Sequence, residues 1–115
     1  MNKVEIIDKT MKHLMEQGPS EYHGSCMYRL TKNGKTLKCA AGFWISDEDY
    51  MRTFEGKRIV VIVKDFSGDS LKFIADNIEL IDDMQRIHDK YSGYNQRIFA
   101  QQIERDFTEL KKRYT

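Results

Sequence analysis

The chain is poor in the residues that staple or punctuate a fold: among 115 residues there are two cysteines, one proline and one tryptophan. Two cysteines close at most one bridge, so this is not a disulfide scaffold; a chain of this length can bury a core without staples. With Pro19 the sole proline and no Ser-rich or repeated tract, nothing reads as an interdomain linker. No apolar run approaches the roughly 18–20 residues that span a bilayer. Glu5 and Asp8 interrupt the N-terminal stretch where a signal peptide needs an unbroken apolar segment, which points away from secretion. The cysteines are then expected as thiols in a reducing compartment. Excess charge of one sign is also missing. Lys and Arg total 19 against 18 Asp and Glu, net +1, unlike the basic excess of a non-specific nucleic-acid binder.

What is present reads as one α+β domain over residues 1–115. Val4, Ile7, Met11, Leu14 and Met15 follow helical spacing, Asn2 and Glu5 supply a capping box, and Gly18-Pro19 ends the helix, predicting it over 3–17. Asn33-Gly34 between β-compatible segments predicts a hairpin over about 25–45. A two-residue turn pairs Leu30 with Leu37, Tyr28 with Cys39 and Cys26 with Ala41. That register puts Cys26, Tyr28, Leu30, Leu37, Cys39 and Phe43 on one face and Arg29, Thr31, Thr36 and Lys38 on the other. Ser46-Asp-Glu-Asp49 reads as the start of a short helix over about 47–54. Ile59–Val63 is a β-branched apolar run that fits strand or helix equally. Apolar residues from Leu71 to Tyr91 predict one helix ending near Gly93. Phe99, Ile103, Phe107 and Leu110 predict a last helix over about 96–113. These two C-terminal helices are expected to pack on the hairpin, and their apolar stripes could continue into a homodimer.

Chemistry has few places to reside. His23, Cys26, Cys39 and His88 offer two sulfurs and two imidazoles for tetrahedral zinc, although the spacing lacks the paired ligands of a finger or ribbon. On the expected hairpin Cys26 and Cys39 lie diagonally, about 7 Å apart, close enough to share a metal and too far for an unstrained disulfide. Buried core thiols are the other reading. A thiol-hydrolase arrangement would use Cys39 as nucleophile, His88 as base, and Asp82, Asp83 or Asp89 as orienter; a mid-strand cysteine on an apolar face suits that poorly. Ser67-Gly-Asp-Ser70 lacks the lysine of a phosphate loop, and Asp47-Glu-Asp49 lacks the glycine and terminal glutamate of a calcium loop.

The polar hairpin face is the more suggestive surface. Arg29 and Lys38 become cross-strand neighbours, with Lys32 and Lys35 at the tip. Like charges so placed need an anion between them. Asp47–Asp49 or Glu55 could supply it internally, or an external carboxylate or phosphate could dock on Arg29. The near-zero net charge conceals opposed patches, since residues 21–45 sum to +3 while 46–56 and 67–90 each sum to −3.

Cys26-Met-Tyr-Arg29, the Gly34 turn, Lys38-Cys-Ala-Ala-Gly42, Ile45-Ser-Asp-Glu48, Tyr50, Glu55-Gly56 and Met84-Gln-Arg-Ile-His88-Asp89 together resemble a pattern in small uncharacterised phage and prophage proteins. The resemblance spans roughly residues 10–107. Ser46 stands where that family usually has proline, and Phe43 where many members carry a further cysteine. The resemblance implies a phage accessory protein acting in the host cytoplasm. The leading expectation is therefore a non-enzymatic, cofactor-free binding protein that modulates a host protein or sequesters a small anionic signalling ligand. Its surface would involve Arg29, Lys38, Asp47, Glu48, Glu55, His88 and Asp89. The alternative is a zinc-binding or thiol hydrolase-like site on Cys26, Cys39 and His88.

Overall fold

The computed structural model describes residues 1–115. Its first helix, α1 (Lys3–Gln17), has the expected bounds. Asn2 Oδ1 accepts the Glu5 amide at 2.8 Å and Glu5 Oε1 accepts the Asn2 amide at 3.2 Å, closing the capping box. Gly18, at φ 90°, ends the helix by donating its N–H to the Leu14 carbonyl. Two small antiparallel hairpins follow: β1 (Glu21–Tyr22) with β2 (Ser25–Cys26), then β3 (Leu30–Lys32) with β4 (Lys35–Leu37). Leu30 pairs with Leu37 across an Asn33-Gly34 turn in which both residues have positive φ, as the two-residue loop requires.

The long hairpin over 25–45 is not formed. Cys26 pairs with Glu21 and not Ala41, and Tyr28 and Cys39 do not pair. The cause is capture of the backbone by side chains. Beyond Leu37, the Lys38 amide donates to Gln17 Oε1 at 2.8 Å, and its carbonyl accepts from Gln17 Nε2 at 2.8 Å and lies 2.8 Å from His13 Nε2. Before Leu30, the Tyr28 and Arg29 amides donate to Glu55. Each strand has spent its next ladder groups elsewhere, so the ladder stops. Gly42–Trp44 is a single 3₁₀ turn and not a strand.

The helix expected over 47–54 is also replaced. Ser46–Asp49 forms a turn, Met51 is extended, and only Arg52–Phe54 is 3₁₀. The acidic residues serve other elements: Asp49 Oδ2 accepts the Ser70 amide at 2.9 Å and its hydroxyl, capping a later helix from across the fold.

The β-branched run resolves as α2 (Ile59–Asp65), which buries Ile59 and Ile62 and leaves Val61 exposed. The single helix expected from Leu71 is two, α3 (Asp69–Asp76) and α4 (Ile78–Tyr91). Asn77 separates them because its side-chain amide donates to the Phe73 carbonyl at 2.9 Å, taking the acceptor its own backbone N–H would use in a continuous helix. Asn95 caps α5 (Gln96–Lys111), which buries Phe99, Ile103, Phe107 and Leu110 as its spacing predicts. α5 packs chiefly on α1 and α4, not on the β3–β4 hairpin, whose residues 31–36 are exposed.

One cluster of 21 buried apolar residues draws on α1, the 39–45 loop and all four later helices. No helix is long and apolar enough to cross a membrane. Gly42 sits where any Cβ would collide with the Tyr28 carbonyl group, locking the 39–45 loop against the segment entering β3. Gly42→Ala is expected to lower the unfolding free energy by about 1–3 kcal/mol, the usual range for overpacking. Urea denaturation measures this, and an unchanged midpoint would disprove the close approach.

Candidate functional site

Two polar networks flank one cavity. The first is centred on Glu55, just after the Arg52–Phe54 turn. Its Oε1 accepts the Tyr28 amide at 2.9 Å; Oε2 accepts the Arg29 amide at 3.1 Å and the Tyr50 hydroxyl at 2.6 Å. The Arg29 guanidinium lies over the Tyr50 ring, 4.6 Å from its centroid, donates to the Ile45 carbonyl at 3.0 Å and pairs with Asp47 at 2.8 Å. Burial first, then the neighbouring Glu55 carboxylate, pushes the Tyr50 phenol up to about 12, so it remains a donor. Arg29, Asp47 and Glu55 are thus brought together as an internally neutralised brace. Glu48 makes no hydrogen bond or ion pair, and Lys38 joins the fold through its backbone groups.

The second network lies on α4. Gln85, His88 and Asp89 share one helical face by their i, i+3, i+4 spacing. Gln85 Oε1 accepts the Ala41 amide at 2.8 Å while its Nε2 donates to Asp89 Oδ1 at 2.7 Å. His88 is fully buried, and its Nε2 accepts the Ser20 amide at 3.1 Å. An accepting Nε2 puts the proton of the neutral ring on Nδ1, which donates to Asp89 Oδ1 at 3.0 Å. Burial alone would raise the Asp89 carboxyl, but hydrogen bonds from His88, Cys26 and Gln85 hold it below its ordinary value.

Among the expected metal ligands, Cys26 and His88 meet, joined by Asp89, with one ligand atom from each within 4.8 Å of the others. Cys39 lines the same cavity but bonds locally, accepting the Gly42 amide at 3.4 Å. His23 sits in the β1–β2 turn against Tyr22. The His88 tautomer opposes metal binding, because a metal on Nδ1 would drive the proton to Nε2, directly against the Ser20 N–H. The same bond spends the lone pair a general base would need. Burial pushes the Cys26 thiol up to about 12 and raises the Cys39 thiol as well, so neither is a ready thiolate.

Between the networks lies a cavity of about 320 Å³. Tyr28, Cys39 and Gln85 are its buried wall, with Cys26 and Asp89 beside them; Lys57, Arg58 and Arg86 form an exposed basic rim. Tyr28 fixes the wall to the rim by donating its hydroxyl to the Lys57 carbonyl. Arg58 and Arg86, 64% and 67% exposed, share a single oxygen of Asp82, at 3.7 and 3.1 Å. Lys57 has no ion pair. Two positive charges are therefore left uncompensated at the rim.

Sequence reasoning passed over Gln85 as a site residue and all three rim cations. The i, i+3, i+4 spacing could have found Gln85. Residues 57–66, with three basic and one acidic residue, carry the signal for Lys57 and Arg58. No family model, curated protein or solved structure matches the chain.

Two outcomes test this geometry. Glu55→Gln leaves one carbonyl oxygen for three donors and is expected to cost about 1–3 kcal/mol in urea denaturation, with part of the loss shared by Tyr50→Phe in a double-mutant cycle. A neutral Glu55→Gln would remove the brace from the account. Separately, a thiol titrating near 12 is ionised to only about one part in ten thousand at pH 8. Both cysteines of the native protein should react with a disulfide reagent at least a hundredfold slower than in guanidinium. Equal rates would overturn the assignment of Cys26 as an inert wall residue.

Proposed function

We propose that the protein is a binding protein that sequesters a small anionic ligand in the cavity between α4 and the segment entering α2. The observation that carries this reading is the rim, where Arg58 and Arg86 share one carboxylate oxygen while Lys57 has no ion pair. Guanidinium pairs of this kind suit planar carboxylate or tetrahedral phosphate groups. The cavity volume falls in the range of small-molecule sites, and its wall comes from three chain segments already fixed by hydrogen bonds. Arg29, the anion receptor expected from the hairpin, is engaged by Asp47 and Ile45, so the anion-binding role moves to the rim. Neither thiol is poised for nucleophilic attack and His88 has no free lone pair, which favours binding over catalysis. The resemblance to small phage proteins supports a setting in which the chain removes a host metabolite or signalling molecule from circulation.

The proposal is tested by thermal melts against a panel of small phosphate- and carboxylate-bearing molecules. A ligand at a hundred times its dissociation constant adds about 2.7 kcal/mol of stability. At least one panel member should raise the melting temperature, and Arg58→Ala combined with Arg86→Ala should weaken that ligand at least tenfold without changing the unliganded midpoint by a comparable amount. No shift across the panel, or full binding by the double variant, would reject the proposal.

A further inference from the structure

The cavity has a second pole. Opposite in charge to the rim, Asp89 lies three residues beyond Arg86 and seven beyond Asp82 on the same face of α4, about 5 and 10 Å along the helix axis. Its Oδ1 is saturated by two N–H donors, Gln85 Nε2 at 2.7 Å and His88 Nδ1 at 3.0 Å. Its Oδ2 accepts no N–H or O–H in the protein. The adjacent Cys26 thiol lies 3.3 Å from Ser92 Oγ and is the one further donor to the Asp89 carboxylate, a weak S–H. The cavity thus has at its edge a half-exposed carboxylate, oriented by buried His88 and Gln85, with one oxygen that no N–H or O–H of the protein engages and no Lys or Arg paired to it.

We infer that the ligand is a zwitterion, a primary amine carrying a phosphate or carboxylate, whose ammonium group binds Asp89 Oδ2 while its anionic group binds the Arg58–Arg86 rim. This rests on the anion-binding reading above and adds the second half of the ligand. The saturation of Oδ1 selects the ammonium: a two-pronged N–H edge, as on a guanine-like base, needs both carboxylate oxygens, whereas an ammonium needs one. The opposed poles also discriminate, since a ligand with the anion alone leaves Asp89 unpaired and adds a like charge to its cavity.

Matched pairs test the inference by titration calorimetry: O-phosphoethanolamine against ethyl phosphate, glutamate against glutarate, and 6-aminohexanoate against hexanoate. In at least one pair the amino member should bind tenfold or more tightly than its partner. Asp89→Asn, which keeps an Oδ1 acceptor for His88 and Gln85, should bring the members of that pair within about twofold without weakening the amine-free one. If the variant fails to fold, the preference of the unsubstituted protein decides the question alone. Equal binding within every pair overturns the zwitterion and leaves the anion-binding proposal standing. Failure of every anion to bind overturns both.

Discussion

The structure depends on side chains that take over backbone groups a sheet would otherwise have used. Glu55 accepts the amides of Tyr28 and Arg29, and Gln17 holds both polar groups of Lys38. These two captures end the β3–β4 ladder after three residues a side and turn its flanks into irregular chain. Irregular backbone can be buried only if its N–H and C=O groups are satisfied, and α4 supplies that satisfaction: Gln85 takes the Ala41 amide and His88 the Ser20 amide. The cavity exists because these segments are held apart from a closed sheet and still fixed.

Burial and polarity divide the work between the two networks. The Arg29 side chain is 16% exposed and its partner Asp47 87% exposed, so this pair is worth little as an isolated salt bridge. Its value lies in joining the Glu55–Tyr50 brace to the Ile45 carbonyl. On α4 the basic partner is again the buried one. Fully buried His88 accepts the Ser20 amide through Nε2 and donates its Nδ1–H in a hydrogen bond to the more exposed Asp89, whose carboxylate stays ionised beside the cavity. Structural demands on His88 therefore occupy both of its ring nitrogens and fix the orientation of the Asp89 carboxylate.

Much of the fold was legible where local signals agree with burial. The capping box, the Gly18 stop, the Asn33-Gly34 turn and the α5 stripe each combine a local conformational preference with one apolar face. The sequence reading failed where a local signal was borrowed by a distant element. Asp49 looked like the first turn of its own helix and instead caps α3 through Ser70. Asn77 sits inside a helical stripe but bonds Phe73, breaking one helix into two. Leu30 and Leu37 were paired correctly, yet nothing in residues 25–45 reveals that Gln17 and Glu55 would intercept the next rungs.

By itself the sequence determined the α+β class, the first and last helices and the tight turn, because these follow from spacing over a few residues; which of Asp82, Asp83 and Asp89 meets His88 was decided by the structure. Tertiary structure alone decided that Ile59–Asp65 is helical and that Arg29 is internally paired. It also made Cys26 and Cys39 wall residues, and set Lys57, Arg58 and Arg86 around a common cavity. The physical reason is range. Propensities and caps act within a turn or two of chain, whereas the cavity is made by hydrogen bonds between residues 21 to 68 positions apart, which no local pattern encodes.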